Sequence, residues 1–358
     1  MNDTQLAEWL LENGRAIIRY RTATELLGQL AGRDVAALRR QLLADAQVRC
    51  GLGNLGPGTA PNQIHGAADR TFESAMGKLI TFGCRARMAE LDRRTLPFRR
   101  WLRGEVARPK THPLGTFYPT IVAAFLSMAG YRAEPAVRAI IRRRVESVSR
   151  FARKKDYSIY VPWTGQHKMP EVAKGRPLID PRLYEDGNLR LPWVHDVNAL
   201  TGLAARQRND PRVGAIINYI LEPEYQRLSP GYGMLWVKGS QYWVMGWDAR
   251  LPGYLEKDLS KLGRYEAAQL VQRTLAMSHF RAAWRHPWLA RAVRHLESFR
   301  TRDGTYRFPA RYLVETSSAY WVSGGRMGLG ENRRSRLALE LESTFWMLKI
   351  RRTLGGDL

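Results

Sequence analysis

Two eight-residue stretches, EPAVRAII at residues 134–141 and DPRVGAII at residues 210–217, decide the fold of this 358-residue chain. A weaker copy, HPWLARAV, follows at residues 286–293, and successive copies start 76 residues apart. Each copy combines a residue that can cap a helix, proline at the first helical position and apolar residues at helical spacing. We therefore expect three related helices that begin at these prolines.

A second amphipathic pattern precedes each copy, at residues 118–129, 196–207 and 265–282. Each copy is therefore expected to form a helical hairpin, and repeated hairpins stack side by side. The sequence predicts an all-α fold, either an α/α toroid or a solenoid. Its expected parts are an N-terminal helical segment (1–110) and a repeat domain (111–358), packed as one continuous unit.

Long irregular stretches follow the hairpins at residues 151–193, 226–262 and 300–330, in the same phase of the repeat. In a stacked array, insertions at one phase emerge on one face, which is often the binding face. These stretches hold 15 of the 26 Trp and Tyr residues of the chain. The best candidate for a strand within them is SQYWVMGW, residues 240–247.

These aromatic side chains either cap the helical array or line a shared cavity for a small ligand. The cavity interpretation makes seven of them candidate substrate contacts. They are Trp163, Trp193, Trp236, Tyr242, Trp247, Tyr306 and Trp321.

The chain carries 57 Lys and Arg against 33 Asp and Glu, which gives a net charge of +24. Arg binds phosphate and stacks on aromatic rings, so nucleic acid, acidic lipid and diphosphate substrates all stay open as partners. A solvated basic surface without a ligand explains the same charge. The run Arg142–Arg144 lies on a predicted helix, where such a run is usually the solvated face.

The composition, with 44% apolar and 25% charged residues, excludes a disordered chain and a disulfide scaffold. No apolar run is long enough to cross a bilayer, although peripheral membrane contact stays open. Cys50 and Cys84 lie outside any CxxC motif, which favours a reducing, cytoplasmic setting without a zinc site. We predict no metal ion and no cofactor, and the chain lacks GxSxG and HExxH motifs.

Residues 291–309, RAVRHLESFRTRDGTYRFP, resemble the QW-type repeat of the terpenoid cyclase and protein prenyltransferase superfamily. In that repeat the end of a helix is followed by Gln, then by Asp-Gly and an aromatic residue. Arg300 takes the Gln position here, and Tyr306 is the aromatic residue. Residues 124–131, AFLSMAGY, resemble the inner helix of the same repeat. The resemblance covers about residues 115–350 and implies an α/α toroid around a central cavity.

Residues 15–27, RAIIRYRTATELL, resemble instead a HEAT-type helix. The chain lacks the Asp-x-Asp-Asp motif of class II cyclases and the DDxxD diphosphate motif. Both cysteines precede residue 85, outside the region similar to the zinc-dependent protein prenyltransferases. The resemblance therefore implies the fold and not those reactions.

His195 and Asp196 stand at the start of a predicted helix. The helix dipole and free amide groups favour a carboxylate there, so Asp196 is either an N-cap or an acid at the mouth of the cavity. In the second case His195 would carry the proton.

Asp248 lies between Trp247 and Arg250 in the second irregular stretch. Burial among aromatic rings would favour its protonated form and make it a general acid. The alternative is a local turn or an ion pair with Arg250. In the catalytic case Arg250 would bind an anionic group of the substrate.

The Gly-rich stretch GGRMGLG, residues 324–330, precedes Glu331 where the last helix is expected to begin. Amide groups that lead into a helix bind anions, although an ordinary connecting loop has the same pattern. Glu331 is a further candidate contact for a ligand. Glu342 and Trp346 share a face of the last helix, and we expect Glu342 at the surface.

Three functions stand as hypotheses. The first is a cytoplasmic enzyme on a cyclase- or prenyltransferase-like scaffold, which binds an apolar or isoprenoid-like small molecule among the aromatic side chains. Its acid would be Asp248 or Asp196. The second is a HEAT-like nucleic-acid-binding protein that acts on bases, with Arg on phosphate and Trp or Tyr on bases. The third is a non-catalytic helical scaffold for protein partners.

Overall fold

The computed structural model describes residues 1–28, 32–110, 112–162, 171, 175–239, 241–256, 258–317 and 319–355. The chain divides into two compact units. Unit 1 comprises Met1–Pro97 and Pro252–Leu358, and unit 2 comprises Phe98–Leu251. The predicted boundary at residue 110 does not coincide with this division.

The first segment of unit 1 is helical throughout most of its length. Its elements are α1 (Asp3–Asn13), α2 (Ala16–Arg21), a π-helical turn (Thr22–Leu27), α3 (Gly32–Ala44), α4 (Ala46–Asn54), α5 (Pro61–Ile64), α6 (Phe72–Thr81) and α7 (Ala89–Ala107). The boundary between the units falls within α7, just after its internal proline, Pro97.

Unit 2 combines helices with a small sheet. Its helices are α8 (Phe117–Met128), α9 (Pro135–Ala152), α10 (Val194–Thr201), α11 (Ala205–Arg208), α12 (Pro211–Leu221) and α13 (Pro223–Gln226). Its strands are β1 (Tyr160–Val161), β2 (Leu178–Ile179), β3 (Met234–Lys238) and β4 (Gln241–Val244).

The second segment of unit 1 is again helical. It contains α14 (Arg264–Ser278), α15 (Arg281–Trp284), α16 (Pro287–Glu297) and α17 (Ala338–Thr353). None of the helices in the described part of the chain is both long enough and apolar enough to cross a membrane.

Helix α17 joins the two segments of unit 1, because it packs against α1 and α2 on one side and α14 on the other. The Arg21 guanidinium lies 4.4 Å from the ring centre of Phe345 and 4.9 Å from that of Trp346. The same group donates to both carboxylate oxygens of Glu25, at 2.9 and 2.8 Å. This buried cation therefore ties the N-terminal helices to the last helix.

The first hairpin of unit 2 forms as the sequence predicts, since α8 packs against α9, whereas α10 packs mainly on α8 and α12 on α9, so the second predicted pair does not pack as a hairpin of its own. Helices α9 and α12 begin at Pro135 and Pro211. The Asp210 carboxylate accepts a hydrogen bond from the backbone N–H of Arg212 at 2.8 Å, so the residue before the proline caps the helix. Helix α9 packs against α8, α10 and α12 and is their common neighbour.

The sheet of unit 2 has the order β1-β2-β3-β4, with the central β2–β3 pair parallel and the outer pairs antiparallel. Strand β4 confirms the strand candidate within residues 240–247. The protein is therefore mostly helical with a small sheet, which corrects the all-α expectation in part.

The third hairpin also forms, since α16 begins at Pro287 and packs against α14. It belongs to unit 1, however, whereas the helices of the first two predicted hairpins belong to unit 2. The three helix starts predicted from the prolines are thus confirmed. Closure into a toroid stays a prediction from the sequence.

A substitution at Gly77 tests how tightly the turn Trp321–Ser323 packs on α6. A Cβ atom at Gly77 would lie 2.3 Å from the Trp321 Cγ atom, close to that residue's backbone. We expect Gly77→Ala to destabilise the protein by about 1–3 kcal/mol because the ring cannot yield. Gly53→Ala, on α4 with open space around it, is the control and is expected to be neutral or stabilising. Equal melting temperatures of the two variants would contradict the packing.

Candidate functional site

Helix α9 has one buried and one exposed face. Val137, Ile141, Val145 and Val148 are buried at spacings of three and four. Arg144 follows the same stripe and is 3% exposed. The expectation that the run Arg142–Arg144 is a solvated face is therefore correct for its first two members and wrong for the third.

The buried Arg144 guanidinium binds two neighbouring segments of unit 2. Its Nε and Nη2 atoms donate to the two carboxylate oxygens of Asp196, at 2.9 and 2.7 Å. Nη1 donates to Asn188 Oδ1 at 2.7 Å and to the carbonyl of Leu189. The guanidinium carbon also lies 4.4 Å from the centre of the Trp193 ring. Arg144 thus fixes the residues 188–193 and the start of α10 against α9.

An open cleft of about 620 Å³ lies beside this cation in unit 2. One wall comes from α9 and the turn after it, where Glu146 and Phe151 line the cleft beside the stripe Arg143, Ser147, Arg150 and Lys154. The spacings of four, three and four within this stripe place its members on one side of the helix. The opposite wall comes from the residues 180–190. Its members are Asp180, Arg182, Leu183, Asp186, Asn188 and Arg190.

The charges of the second wall are largely paired. Arg182 binds Asp180 through Nη2 at 2.5 Å and Nε at 2.8 Å, and these hydrogen bonds hold the pKa of Asp180 below its usual value. Arg190 lies 3.7 Å from Glu185 and 3.8 Å from Asp186. This wall therefore offers carboxylate oxygens as well as cations.

The first wall differs in its charge balance. Arg150 and Lys154 are exposed, and neither forms an ion pair with any residue that the structure describes. Arg143 donates only to a backbone carbonyl, that of Val106, at 3.0 Å. Glu146 is the one carboxylate that α9 contributes to the described lining, so this side of the cleft carries an excess of positive charge.

The predicted catalytic pair His195 and Asp196 lies behind the cleft wall and is buried. The Asp196 carboxylate accepts the two Arg144 hydrogen bonds and a third from the backbone N–H of Trp193, at 2.8 Å. The His195 ring packs against Phe117, with the ring centres 5.8 Å apart. Trp193 is the N-cap of α10 and Asp196 is its third residue, so Asp196 is not the N-cap itself but satisfies the N-cap backbone N–H, as the acidic residue of a capping box does.

Asp248 lies close to the same helix start, because it forms a β-bridge with Trp193. Its carboxylate accepts hydrogen bonds from the backbone N–H of Gly231 at 2.5 Å and from the backbone and Nε of Arg250, both at 3.1 Å. The local turn and ion pair with Arg250 therefore form, as one of the two sequence alternatives states. Trp247 packs on Phe117 at 4.7 Å between ring centres.

Trp236 and Tyr242 are opposite each other on the β3–β4 hairpin. Trp236 is 37% exposed, so this predicted contact faces solvent rather than an enclosed cavity. Trp163 lies outside the described residues.

Two further predicted contacts lie in unit 1 and support its packing. Tyr306 is buried and donates its hydroxyl to Glu297 Oε2 at 2.6 Å, and burial raises its pKa to about 12. Trp321 is buried and donates its indole N–H to Thr81 Oγ1 at 2.9 Å.

The Gly-rich stretch of residues 324–330 holds an anion that belongs to the protein itself. Glu342 Oε1 accepts the backbone N–H of Leu329 at 2.7 Å, and Oε2 lies 2.5 Å from Arg333 Nη2. Trp346 donates its indole N–H to a carbonyl of the same stretch at 3.0 Å. Glu342 is 0% exposed, which corrects the expected surface position, and burial raises its pKa to about 7.

Glu331, the residue after this stretch, is also buried. Its carboxylate accepts the backbone N–H of Arg15 at 2.8 Å, and burial raises its pKa. It therefore fastens the first segment of unit 1 to the second.

The predicted site residues are thus divided between the two units. Among the described residues, unit 2 contains eight of them: Trp193, His195, Asp196, Trp236, Tyr242, Trp247, Asp248 and Arg250. None of the eight is among the described residues that line the cleft. No three His, Cys, Asp or Glu side chains cluster in the described part of the chain as a metal ion requires.

The sequence analysis missed the cleft residues because it assigned all arginines of the run Arg142–Arg144 to one solvated face of α9. The signal that identifies them is positional. Arg144 continues the apolar stripe, whereas Arg143, Ser147, Arg150 and Lys154 recur at i, i+4, i+7 and i+11.

Replacing Arg144 tests its structural role. Arg144→Met leaves the Asp196 carboxylate buried without its cation. We expect this variant to lower the free energy of unfolding by about 3–5 kcal/mol. Arg142→Met removes an exposed arginine of the same helix and is expected to change stability by less than about 0.5 kcal/mol. Urea denaturation followed by circular dichroism measures both. Matching urea midpoints for the two variants would refute the role assigned to Arg144.

Glu342 predicts a dependence of stability on pH. Because its folded pKa of about 7 exceeds its ordinary value, the folded protein binds more protons than the unfolded chain between about pH 4.5 and 7. Its contribution to stability therefore falls as pH rises through that window, by roughly 3 kcal/mol in total, and is constant above it. Compared with Glu342→Gln, the wild type is expected to lose stability from pH 5 to 8. Parallel pH profiles of the two proteins would contradict the assignment.

Comparison with known proteins gives no match. No protein-family model, no curated protein and no solved structure is significantly similar to this chain. The resemblance to the cyclase and prenyltransferase superfamily therefore stays a prediction from the sequence, and the function rests on the geometry of the molecule.

Proposed function

We propose that the chain binds a polar, phosphate-bearing small molecule in the cleft of unit 2. The observation that carries this proposal is the pair Arg150 and Lys154, two exposed cations of the cleft that form no ion pair with any described residue. Uncompensated cations in a concave site attract anions and focus their field on the cleft.

The size of the cleft supports a ligand of low molecular weight. Its volume of about 620 Å³ lies within the range of roughly 300–1,000 Å³ that is typical of small-molecule sites. Arg150 offers a planar fork of N–H donors that matches phosphate oxygens, and Lys154 offers a mobile ammonium group.

The remaining lining supports a ligand that is polar throughout. Asp156 and Asp186 supply oxygen atoms that accept hydrogen bonds from hydroxyl and amino groups. A sugar phosphate or a nucleotide combines such groups with an anionic end. An isoprenoid chain has less support, because Phe151 and Leu183 are the two large apolar side chains of the described lining.

The predicted acid catalysts have little support from their surroundings. Asp196 is held by Arg144 and Asp248 by Arg250, and neither carboxylate is part of the described cleft lining. The proposal is therefore a binding function. A catalytic step on a cyclase- or prenyltransferase-like scaffold stays a hypothesis.

Charge reversal on α9 tests the proposal. We expect Arg150→Glu to weaken the binding of pyrophosphate, a sugar phosphate or a nucleoside monophosphate at least about tenfold, because a charge-assisted hydrogen bond is lost and repulsion is added. Isothermal titration calorimetry measures the dissociation constants.

Arg138→Glu is the matched control for this experiment. Arg138 is an exposed arginine of the same helix, outside the described lining of the cleft, and its reversal changes the net charge equally. The Arg138→Glu variant is expected to bind these ligands with the affinity of the wild type. If the two variants bind equally well, or if the wild type binds none of the ligands, the proposed function is wrong.

A further inference from the structure

The β3–β4 hairpin carries exposed aromatic surface next to the cleft. Trp236 and Trp243 keep 37% and 39% of their surfaces exposed. The Trp236 indole N–H donates to the carbonyl of Gly239 at 2.9 Å, so its polar atom is satisfied within the hairpin. The surface that Trp236 presents to solvent is therefore apolar ring.

The register of the hairpin pairs two of its aromatic side chains. Trp236 is the direct partner of Tyr242, and directly paired residues of antiparallel strands lie on the same face of a sheet. We call these two residues the aromatic pair. Aromatic side chains with an open ring face stack on nucleic-acid bases irrespective of sequence.

A hydrogen bond connects the aromatic pair to the cleft. The backbone N–H of Trp236 donates to the Tyr184 hydroxyl at 3.0 Å, and Tyr184 directly follows the cleft residues Arg182 and Leu183. Burial raises the pKa of Tyr184 to about 12, so this hydroxyl stays neutral. The cleft wall and the hairpin are thus joined within one unit.

Strand geometry gives the distance between the two features. The cleft includes Ser158 just before β1 and Asp180 just after β2, while the aromatic pair lies on β3 and β4. Neighbouring strands lie about 4.8 Å apart, so the four strands span about 14 Å. A few nucleotides of a single strand bridge this span.

We infer that the ligand of unit 2 is a segment of single-stranded nucleic acid, with phosphate groups at Arg150 and Lys154 and a base stacked on Trp236. This inference rests on the proposed function, because it assigns the phosphate groups to the same cleft.

The cleft favours a nucleic-acid strand over an anionic membrane surface. Its walls are concave and include the carboxylates of Asp156, Asp180 and Asp186. A flat lipid surface does not enter a concave cleft, whereas a single strand does, and there these carboxylates accept hydrogen bonds from the hydroxyl and amino groups of nucleotides.

Fluorescence anisotropy with a labelled 12-nucleotide single strand of mixed sequence, as DNA and as RNA, tests the inference on the full chain. We expect Trp236→Ala to weaken binding about 5- to 100-fold, the range for loss of one stacked base. Trp236→Phe keeps an aromatic face and is expected to restore most of the affinity. Trp284→Ala is the control, because Trp284 is 39% exposed but lies in unit 1, and wild-type affinity is expected.

Salt dependence gives an independent readout. Two or three phosphate contacts predict a slope of roughly −1.4 to −2.1 for the logarithm of the binding constant against that of the salt concentration. A slope near zero overturns the inference.

Parallel titrations separate this inference from the proposed function. If pyrophosphate binds and the oligonucleotide does not, the inference is overturned and the proposed function stands. If neither binds, both fail. Binding to phosphatidylserine vesicles that depends on Trp236, without oligonucleotide binding, also overturns the inference, as does equal oligonucleotide affinity of Trp236→Ala and Trp284→Ala.

Discussion

The buried guanidinium group of Arg144 is the constraint on which the cleft of unit 2 depends. A cation in the interior is tolerated only when ionic and hydrogen-bonding partners replace its water. Arg144 obtains them from Asp196, Asn188 and the backbone of the residues 189–191. Because Asn188 lines the opposite wall and Leu189 directly follows it, satisfying the cation also holds that wall in place. Side chains one residue away on α9, such as Arg143, are then free to face the cleft.

Charge is divided in this protein between structural and accessible groups. In unit 1 the Arg21–Glu25 pair and the Glu342 carboxylate are buried among the helices and the Gly-rich stretch, so they serve packing. In unit 2 the buried Arg144 likewise serves packing. Arg150 and Lys154 belong to the accessible group. The net charge of +24 therefore says little by itself about partners, and the position of each cation decides its role.

Helix starts were predictable from the sequence because their cause is local. Proline at the first helical position acts within one turn, and α9, α12 and α16 begin at such prolines. The preceding residue adds a side-chain cap in α12 and α16. Burial was predictable only in part. The stripe that contains Arg144 is visible in the spacing, but its carboxylate partner lies 52 residues further on, and no local pattern reveals that pairing. The pairing of β2 with β3 and the burial of Glu342 are likewise consequences of contacts distant in sequence.

The central claim is that the exposed stripe of α9 and the residues 180–190 form one ligand site. Hydrogen–deuterium exchange of the full chain, with and without pyrophosphate at saturating concentration, tests this claim most directly. The account predicts slower exchange in peptides that cover residues 180–190 and the end of α9, and unchanged exchange in α16 and α17 of unit 1. Ligand-dependent protection confined to unit 1, or none anywhere, would contradict it.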